Sequence, residues 1–101
     1  MKAKYAEWTM KYLVREGGAK GVIGMCYWAC EEMKRAFPEL RLTWGWIRDG
    51  KNDGPYSHYW LVAPDGQIVD PTACQFDGGI SMYEEGNKEE EDRLRNENRT
   101  L

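Results

Sequence analysis

Residues 57–72 constrain the fold of this chain more than any other stretch. Two apolar runs are separated by Pro-Asp-Gly, a turn-forming triplet at 64–66. A short turn that contains glycine joins antiparallel strands and brings the residues near their outer ends together. His58, the only histidine, lies near one end of this stretch and Asp70 near the other. The pattern therefore predicts a hairpin that brings an imidazole within reach of a carboxylate.

Helical and strand-like patterns precede this hairpin. Residues 3–16 and about 26–37 repeat apolar side chains at helical spacing, and a glycine-rich loop at 17–24 separates them. Residues 40–47 alternate along the chain as a half-buried strand does. We therefore expect an α+β fold in which helices pack on a small antiparallel sheet, with Cys26 near the start of the second helix.

The length of 101 residues allows one domain and leaves little for a second. We assign residues 1–83 to this domain, with a short strand near 80–83. Residues 84–101 are almost wholly polar, with a run of acidic residues followed by several arginines. This segment predicts either a charged C-terminal tail or a solvated helix.

Composition disfavours several functional classes. The formal net charge is −3 and no basic stripe is present, so nucleic acid is not an expected partner. No apolar run is long enough to cross a membrane, and no signal peptide is recognisable, which predicts a cytoplasmic protein. Three cysteines are an odd number, so at least one thiol is free, and in a reducing compartment we expect three thiols.

Cys26 is the candidate nucleophile. It follows the glycine-rich loop and stands where the second helix begins, and the free N–H groups and dipole of a helix N-terminus stabilise a thiolate. The same N–H groups can donate to an oxyanion that forms on a substrate carbonyl. A cysteine that only packs as a small buried side chain is the ordinary alternative.

His58 and Asp70 are the other two parts of a possible catalytic constellation. Each has an ordinary explanation by itself, since His58 could be a buried histidine and Asp70, followed by proline, could simply end a strand. A cysteine at a helix start, a histidine on a strand and an aspartate on the next strand fit a nucleophile, a general base and an orienting acid.

Three triplets carry a resemblance to a known superfamily: Gly24-Met25-Cys26, His58-Tyr59-Trp60 and Asp70-Pro71-Thr72. Their order and spacing resemble the transglutaminase-like branch of the papain-like cysteine enzymes, which shows Gly-x-Cys opening a helix, His-x-Trp on a strand and Asp-Pro-Thr closing the next strand. The resemblance covers roughly residues 21–72. It implies a minimal papain/transglutaminase-like core in which Cys26 is the nucleophile, His58 the base and Asp70 the orienting acid.

The resemblance leaves the oxyanion donor open. Papain-like enzymes usually place a glutamine upstream of the nucleophile, but residues 1–25 contain neither glutamine nor asparagine. Transglutaminases can use an upstream tryptophan N–H, which makes Trp8 a candidate by resemblance, with a core aromatic as the alternative. Tyr27 and Trp60 are further candidates for the oxyanion site or the cleft wall. Trp60 lies two residues after His58 and so shares its strand face.

Zinc binding is a competing interpretation of the same residues. Cys26 and Cys30, with His58 and Cys74, could supply four ligands. Structural zinc sites usually draw on C-x2-C pairs, whereas this chain offers only one C-x3-C pair. We therefore expect no metal and no cofactor, with Cys30 packed in the core and Cys74 in a loop.

The expected function is that of a thiol-dependent hydrolase, a peptidase, amidase or deamidase that acts through an acyl-enzyme. The expected partner is a protein or peptide that supplies an amide. Hydrolysis is favoured over transfer because a minimal domain has little room to exclude water. An acyltransferase or transglutaminase is one alternative, and a non-catalytic protein-binding module on the same scaffold is another.

Overall fold

The computed structural model describes residues 2–96. The helices in this range are α1 Ala3–Glu16, α2 Gly18–Gly21, α3 Cys26–Ala36 and α4 Lys88–Asn96. The strands are β1 Arg41–Asp49, β2 Tyr56–Val62, β3 Ile68–Val69 and β4 Ile80–Glu85, and a 3-10 turn covers Ala73–Gln75. The predicted α+β class is confirmed.

The four strands form one antiparallel sheet in the order β3-β2-β1-β4, curled into a half-barrel. The predicted hairpin is confirmed, because β2 and β3 pair through Leu61 and Val69. Its turn is closed by the Gly66 N–H, which donates to the Ala63 carbonyl. Gly66 has a φ of +87°, a left-handed conformation that glycine adopts without steric cost. β3 is only two residues long, so Asp70 lies just beyond its end.

The two long helices bury one face each. In α1, Tyr5 and Tyr12 are buried, as their spacing of seven residues predicts, while Met10 and Val14 point to solvent. α1 ends at Gly17, which has a φ of +91° and donates its N–H to the Leu13 carbonyl. The buried stripe of α3 consists of Cys26, Ala29, Cys30 and Met33.

Trp60 lies on the sheet face that carries His58, over a position that only glycine can occupy. Gly45 pairs with His58 across β1 and β2. A Cβ at Gly45 would lie 2.1 Å from the Glu84 carbonyl oxygen and 2.7 Å from the Trp60 ring. The missing side chain therefore lets the indole cross β1 and reach Tyr83 on β4, with 5.0 Å between ring centroids.

Part of the charged C-terminal segment is helical. Glu84 and Glu85 belong to β4, and α4 buries Leu94 in the same core as Trp44 and Tyr59. Of the two alternatives for residues 84–101, a helix is therefore found over Lys88–Asn96, and it packs on the domain. Residues 97–101 lie outside the described range. No helix within residues 2–96 is long and apolar enough to cross a membrane.

Candidate active site

Three elements bring the predicted catalytic residues together. Cys26 is the first residue of α3, His58 lies in β2, and Asp70 directly follows β3. Gly24, with a φ of +76°, turns the chain into the helix two residues before the cysteine. Hairpin pairing places Asp70 beside His58, and packing of α3 on the sheet places Cys26 in the same cleft as the imidazole.

Asp70 holds the histidine ring by a short hydrogen bond. His58 Nε2 and Asp70 Oδ2 are 2.7 Å apart, and both side chains are buried. The same carboxylate oxygen accepts a hydrogen bond of 2.9 Å from the Tyr83 hydroxyl, and Oδ1 accepts one of 3.1 Å from the Thr72 N–H. An ionised carboxylate can only accept, so Nε2 is the ring nitrogen that carries the proton toward Asp70.

The second ring nitrogen is left for Cys26. His58 Nδ1 is buried and has no hydrogen-bond partner among residues 2–96. Burial has the largest single influence on the imidazole and lowers its pKa, but the hydrogen bond to Asp70 and the nearby charges of Asp70 and Cys26 together outweigh it. The pKa of His58 is thereby raised to about 9. At neutral pH these neighbours favour the imidazolium.

The three thiols lie in different environments, and all are free. Cys26 is only 2% exposed and lies in the wall of a cleft that opens to solvent. Cys30, one helical turn later, is fully buried, and burial followed by the charge of Asp70 raises its pKa well above the usual range. Cys74 is exposed, and partial burial raises its pKa. Geometry therefore singles out Cys26 as the thiol beside an imidazole.

The cleft has a volume of about 360 Å³. Its lining consists of Gly24, Cys26, Pro55, Tyr56, Ser57, His58, Gln75 and Phe76. The rings of Tyr56 and Phe76 stack at 6.0 Å, and the edge of Phe76 meets the imidazole at 5.1 Å. Aromatic walls thus surround the polar groups at the reactive end.

A second pocket, of about 370 Å³, adjoins the cleft at Pro55, which lines both. Its other walls are Trp46, Arg48, Met82 and Glu84. Trp46 is the cross-strand partner of Ser57, which lines the cleft. Directly paired residues of antiparallel strands project to the same face, so Ser57 shares its face with Trp46, whereas the adjacent His58 projects to the opposite face.

The three residues predicted for the oxyanion site or the cleft wall have different surroundings. Trp60 flanks the imidazole, with 6.3 Å between the ring centroids, although it is buried and does not line the cleft. Tyr27 packs edge-on against Tyr59 at 5.0 Å and lies under the Arg95 guanidinium. Trp8 stacks on Tyr12 with 5.1 Å between the ring centroids and packs against the core, which is the alternative role predicted for it. It does not line the cleft.

Sequence reasoning missed Tyr83 and Gln75. The Tyr83 hydroxyl reaches Asp70 from β4, and burial followed by the charge of Asp70 raises the pKa of that hydroxyl. Gln75 lines the cleft from the 3-10 turn. No local signal marks Tyr83, because β4 is brought to the site only by pairing with β1. Gln75 follows the Asp-Pro-Thr triplet by three residues, which was a usable signal.

The assembled side chains can take up and return a proton beside a sulfur nucleophile, which is the requirement of acyl transfer. Within residues 2–96, no group of three or more His, Cys, Asp and Glu side chains is arranged to hold a metal ion.

Comparisons of this chain with protein-family models, with curated proteins and with solved structures give no match.

Proposed function

We propose that this protein is a thiol-dependent acyl hydrolase with a Cys26–His58–Asp70 triad, on a minimal core of the papain-like, transglutaminase-like kind. One observation carries the proposal. The single, fully buried histidine binds Asp70 through Nε2 at 2.7 Å, while its other nitrogen has no hydrogen-bond partner in the described chain and Cys26 lines the same cleft.

The proposed reaction begins with proton transfer from the Cys26 thiol to His58 Nδ1. The raised pKa of His58 favours this thiolate–imidazolium pair. The thiolate attacks the carbonyl carbon of an amide, an S–C bond forms, and the carbonyl electrons move to oxygen. His58 then gives its proton to the leaving amine as the C–N bond breaks, which leaves a thioester.

Water completes the cycle. His58 Nδ1 accepts a proton from the attacking water, the C–S bond breaks, and the acid departs while the thiol is restored. Asp70 accepts hydrogen bonds from three donors and stabilises the imidazolium that forms. Hydrolysis is proposed rather than transfer to an amine because so small a domain has little means of excluding water.

The proposed substrate is an amide within a protein or peptide. The second pocket supports an elongated substrate, because it meets the cleft at Pro55 and extends from there across β1 to β4. Neighbouring strands are about 4.8 Å apart, so the far wall lies roughly 10 Å from β2. A peptide could reach it with about three extended residues.

Selective alkylation tests the proposal. We expect iodoacetamide at mildly acidic pH to label Cys26 first, because a thiolate paired with an imidazolium persists where ordinary thiols are protonated. Mass spectrometry of proteolytic fragments locates the label. The His58→Ala variant should lose this selectivity, and Cys74→Ser, which removes the exposed thiol, should retain it. Equally slow labelling of the three cysteines would exclude an activated nucleophile and favour the non-catalytic binding module.

A further inference from the structure

The carboxamide of Gln75 is held in one orientation by two hydrogen bonds. Its Oε1 accepts from the Gly24 N–H at 3.0 Å, and its Nε2 donates to Thr72 Oγ1 at 3.1 Å. A backbone N–H can only donate, so the oxygen of the carboxamide must face Gly24. Gln75 therefore connects the turn before Cys26 with the turn after Asp70.

One donor of this carboxamide remains available. Nε2 carries two hydrogens, and among residues 2–96 it makes one hydrogen bond, the one to Thr72. Gln75 lines the cleft together with Cys26 and His58. Its oxygen is bonded to the residue that lies two positions before Cys26. A polar N–H is thus held at the reactive end of the cleft.

We propose that Gln75 is a catalytic residue, the side-chain donor to the oxyanion formed when Cys26 attacks a carbonyl. The inference rests on the proposed function. The second donor is the backbone N–H of Cys26, which as the first residue of α3 has no acceptor within its own helix. Gln75 transfers no proton. It binds the oxygen more strongly once the carbonyl electrons have moved onto it.

Two reactions of the same thiol separate this role from a structural one. Alkylation by iodoacetamide displaces iodide from a saturated carbon, so no oxyanion forms. Acylation by p-nitrophenyl acetate passes through a tetrahedral oxyanion before the S-acetyl bond is complete and p-nitrophenol leaves. Loss of an oxyanion donor should therefore slow acylation and leave alkylation unchanged.

Gln75→Glu is the sharpest variant. A carboxylate can still accept from the Gly24 N–H, and it can accept from the Thr72 hydroxyl, so both loop contacts persist while the free N–H is lost. Gln75→Ala removes the donor without adding a charge. Gln67→Glu introduces the same charge at an exposed position of the hairpin turn and is the matched control.

We expect both Gln75 variants to acylate Cys26 on the order of 10²-fold more slowly, as removal of one oxyanion donor does elsewhere. Nitrophenolate release measures acylation, and mass spectrometry of Cys26 measures alkylation. Alkylation of Gln75→Ala should stay close to the wild-type rate, while the new carboxylate of Gln75→Glu also disfavours the nearby thiolate, so its acylation rate is compared with its own alkylation rate. Gln67→Glu should match the wild type in both reactions. Parallel loss of both reactions in the two variants would assign Gln75 a structural role only and overturn the inference, as would unchanged acylation.

Failure of the proposed function has a different signature. If the wild-type protein neither acylates Cys26 nor alkylates it selectively, the triad is inactive and the inference falls with it. If wild-type Cys26 reacts in both assays and only the Gln75 variants behave unexpectedly, the proposed function stands and the oxyanion assignment alone is wrong.

Discussion

Asp70 is the residue on which the geometry of the site depends. It accepts from His58, Tyr83 and the Thr72 N–H, so each carboxylate oxygen is bonded and the side chain has little freedom to rotate. The ring of His58 is fixed in turn. A buried charge is stable only while its hydrogen-bond and charge partners are in place. Removal of one partner leaves the remaining charge buried without compensation, which is strongly unfavourable.

The Asp70→Asn variant should lower the pKa of His58. Without the negative charge, burial acts on the imidazole with only Cys26 to oppose it, so the pKa should fall from about 9 by about 1–3 units. Because the chain has one histidine, a proton NMR titration of the imidazole signals measures this directly. Asp53→Asn, at an exposed loop position, should leave the titration unchanged. An equal pKa in wild type and Asp70→Asn would contradict the charge pairing.

Some residues of the candidate site could be predicted from the sequence and others could not. His58 and Asp70 are 12 residues apart, and a hairpin register alone brings them together. Cys26 could be proposed from the glycine-rich loop and the helix start that follows it. Tyr83 could not, because its contact with Asp70 depends on how β4 pairs with β1, and no local pattern specifies that pairing.

The C-terminal helix shows how few apolar contacts suffice to anchor an element. α4 is almost entirely charged, yet Leu94 is buried beside the core and Arg95 donates a hydrogen bond of 3.0 Å to the Tyr59 hydroxyl. Glu91 accepts from the same hydroxyl. A single apolar side chain gives no helical period, which is why the sequence could not decide between a helix and a disordered tail here.

Leu94→Ala should destabilise the whole domain. Truncation removes buried methyl groups and leaves a cavity in the core cluster that includes Trp44 and Tyr59, which costs about 2–4 kcal/mol of unfolding free energy. Urea unfolding followed by tryptophan fluorescence provides the measurement. The neighbouring exposed change Asp92→Ala should stay within about 0.5 kcal/mol of the wild type. A loss below about 0.5 kcal/mol for Leu94→Ala would mean that α4 is not part of the cooperative unit.

The stability of the whole molecule should depend on pH through its one histidine. The folded pKa of His58, about 9, lies above its ordinary value of 6.5. A raised pKa contributes stability that is fully present below about pH 6.5 and is lost as pH rises through about 9. The difference corresponds to about 3 kcal/mol. Burial of Cys30 acts in the same direction at higher pH, because it raises the pKa of that thiol.

Urea unfolding at a series of pH values from 6 to 9.5 tests this expectation. The unfolding free energy of the wild type should fall across the series, and Asp70→Asn should flatten the curve because it removes the main cause of the raised pKa. A wild-type protein that becomes more stable between pH 7 and 9 would contradict the sign of the effect.

The order of the strands could not be predicted from the sequence. The hairpin of β2 and β3 is local, but β1 pairs with β4 across more than thirty residues, and the central position of β1 follows from that pairing. Helix periodicity located α1 and α3, and strand alternation located β1. How these elements assemble depends on close approaches such as that of Gly45 to Trp60, which a linear pattern does not encode.

β4 is an edge strand of the sheet and ends in two exposed glutamates, Glu84 and Glu85. An unpaired edge is a template on which further chains can add, and amyloid grows by stacking identical segments in parallel register. In that register each added copy would set Glu84 against Glu84 and Glu85 against Glu85, and like charges directly opposite each other are unfavourable. The same two carboxylates therefore act against fibril growth from this edge.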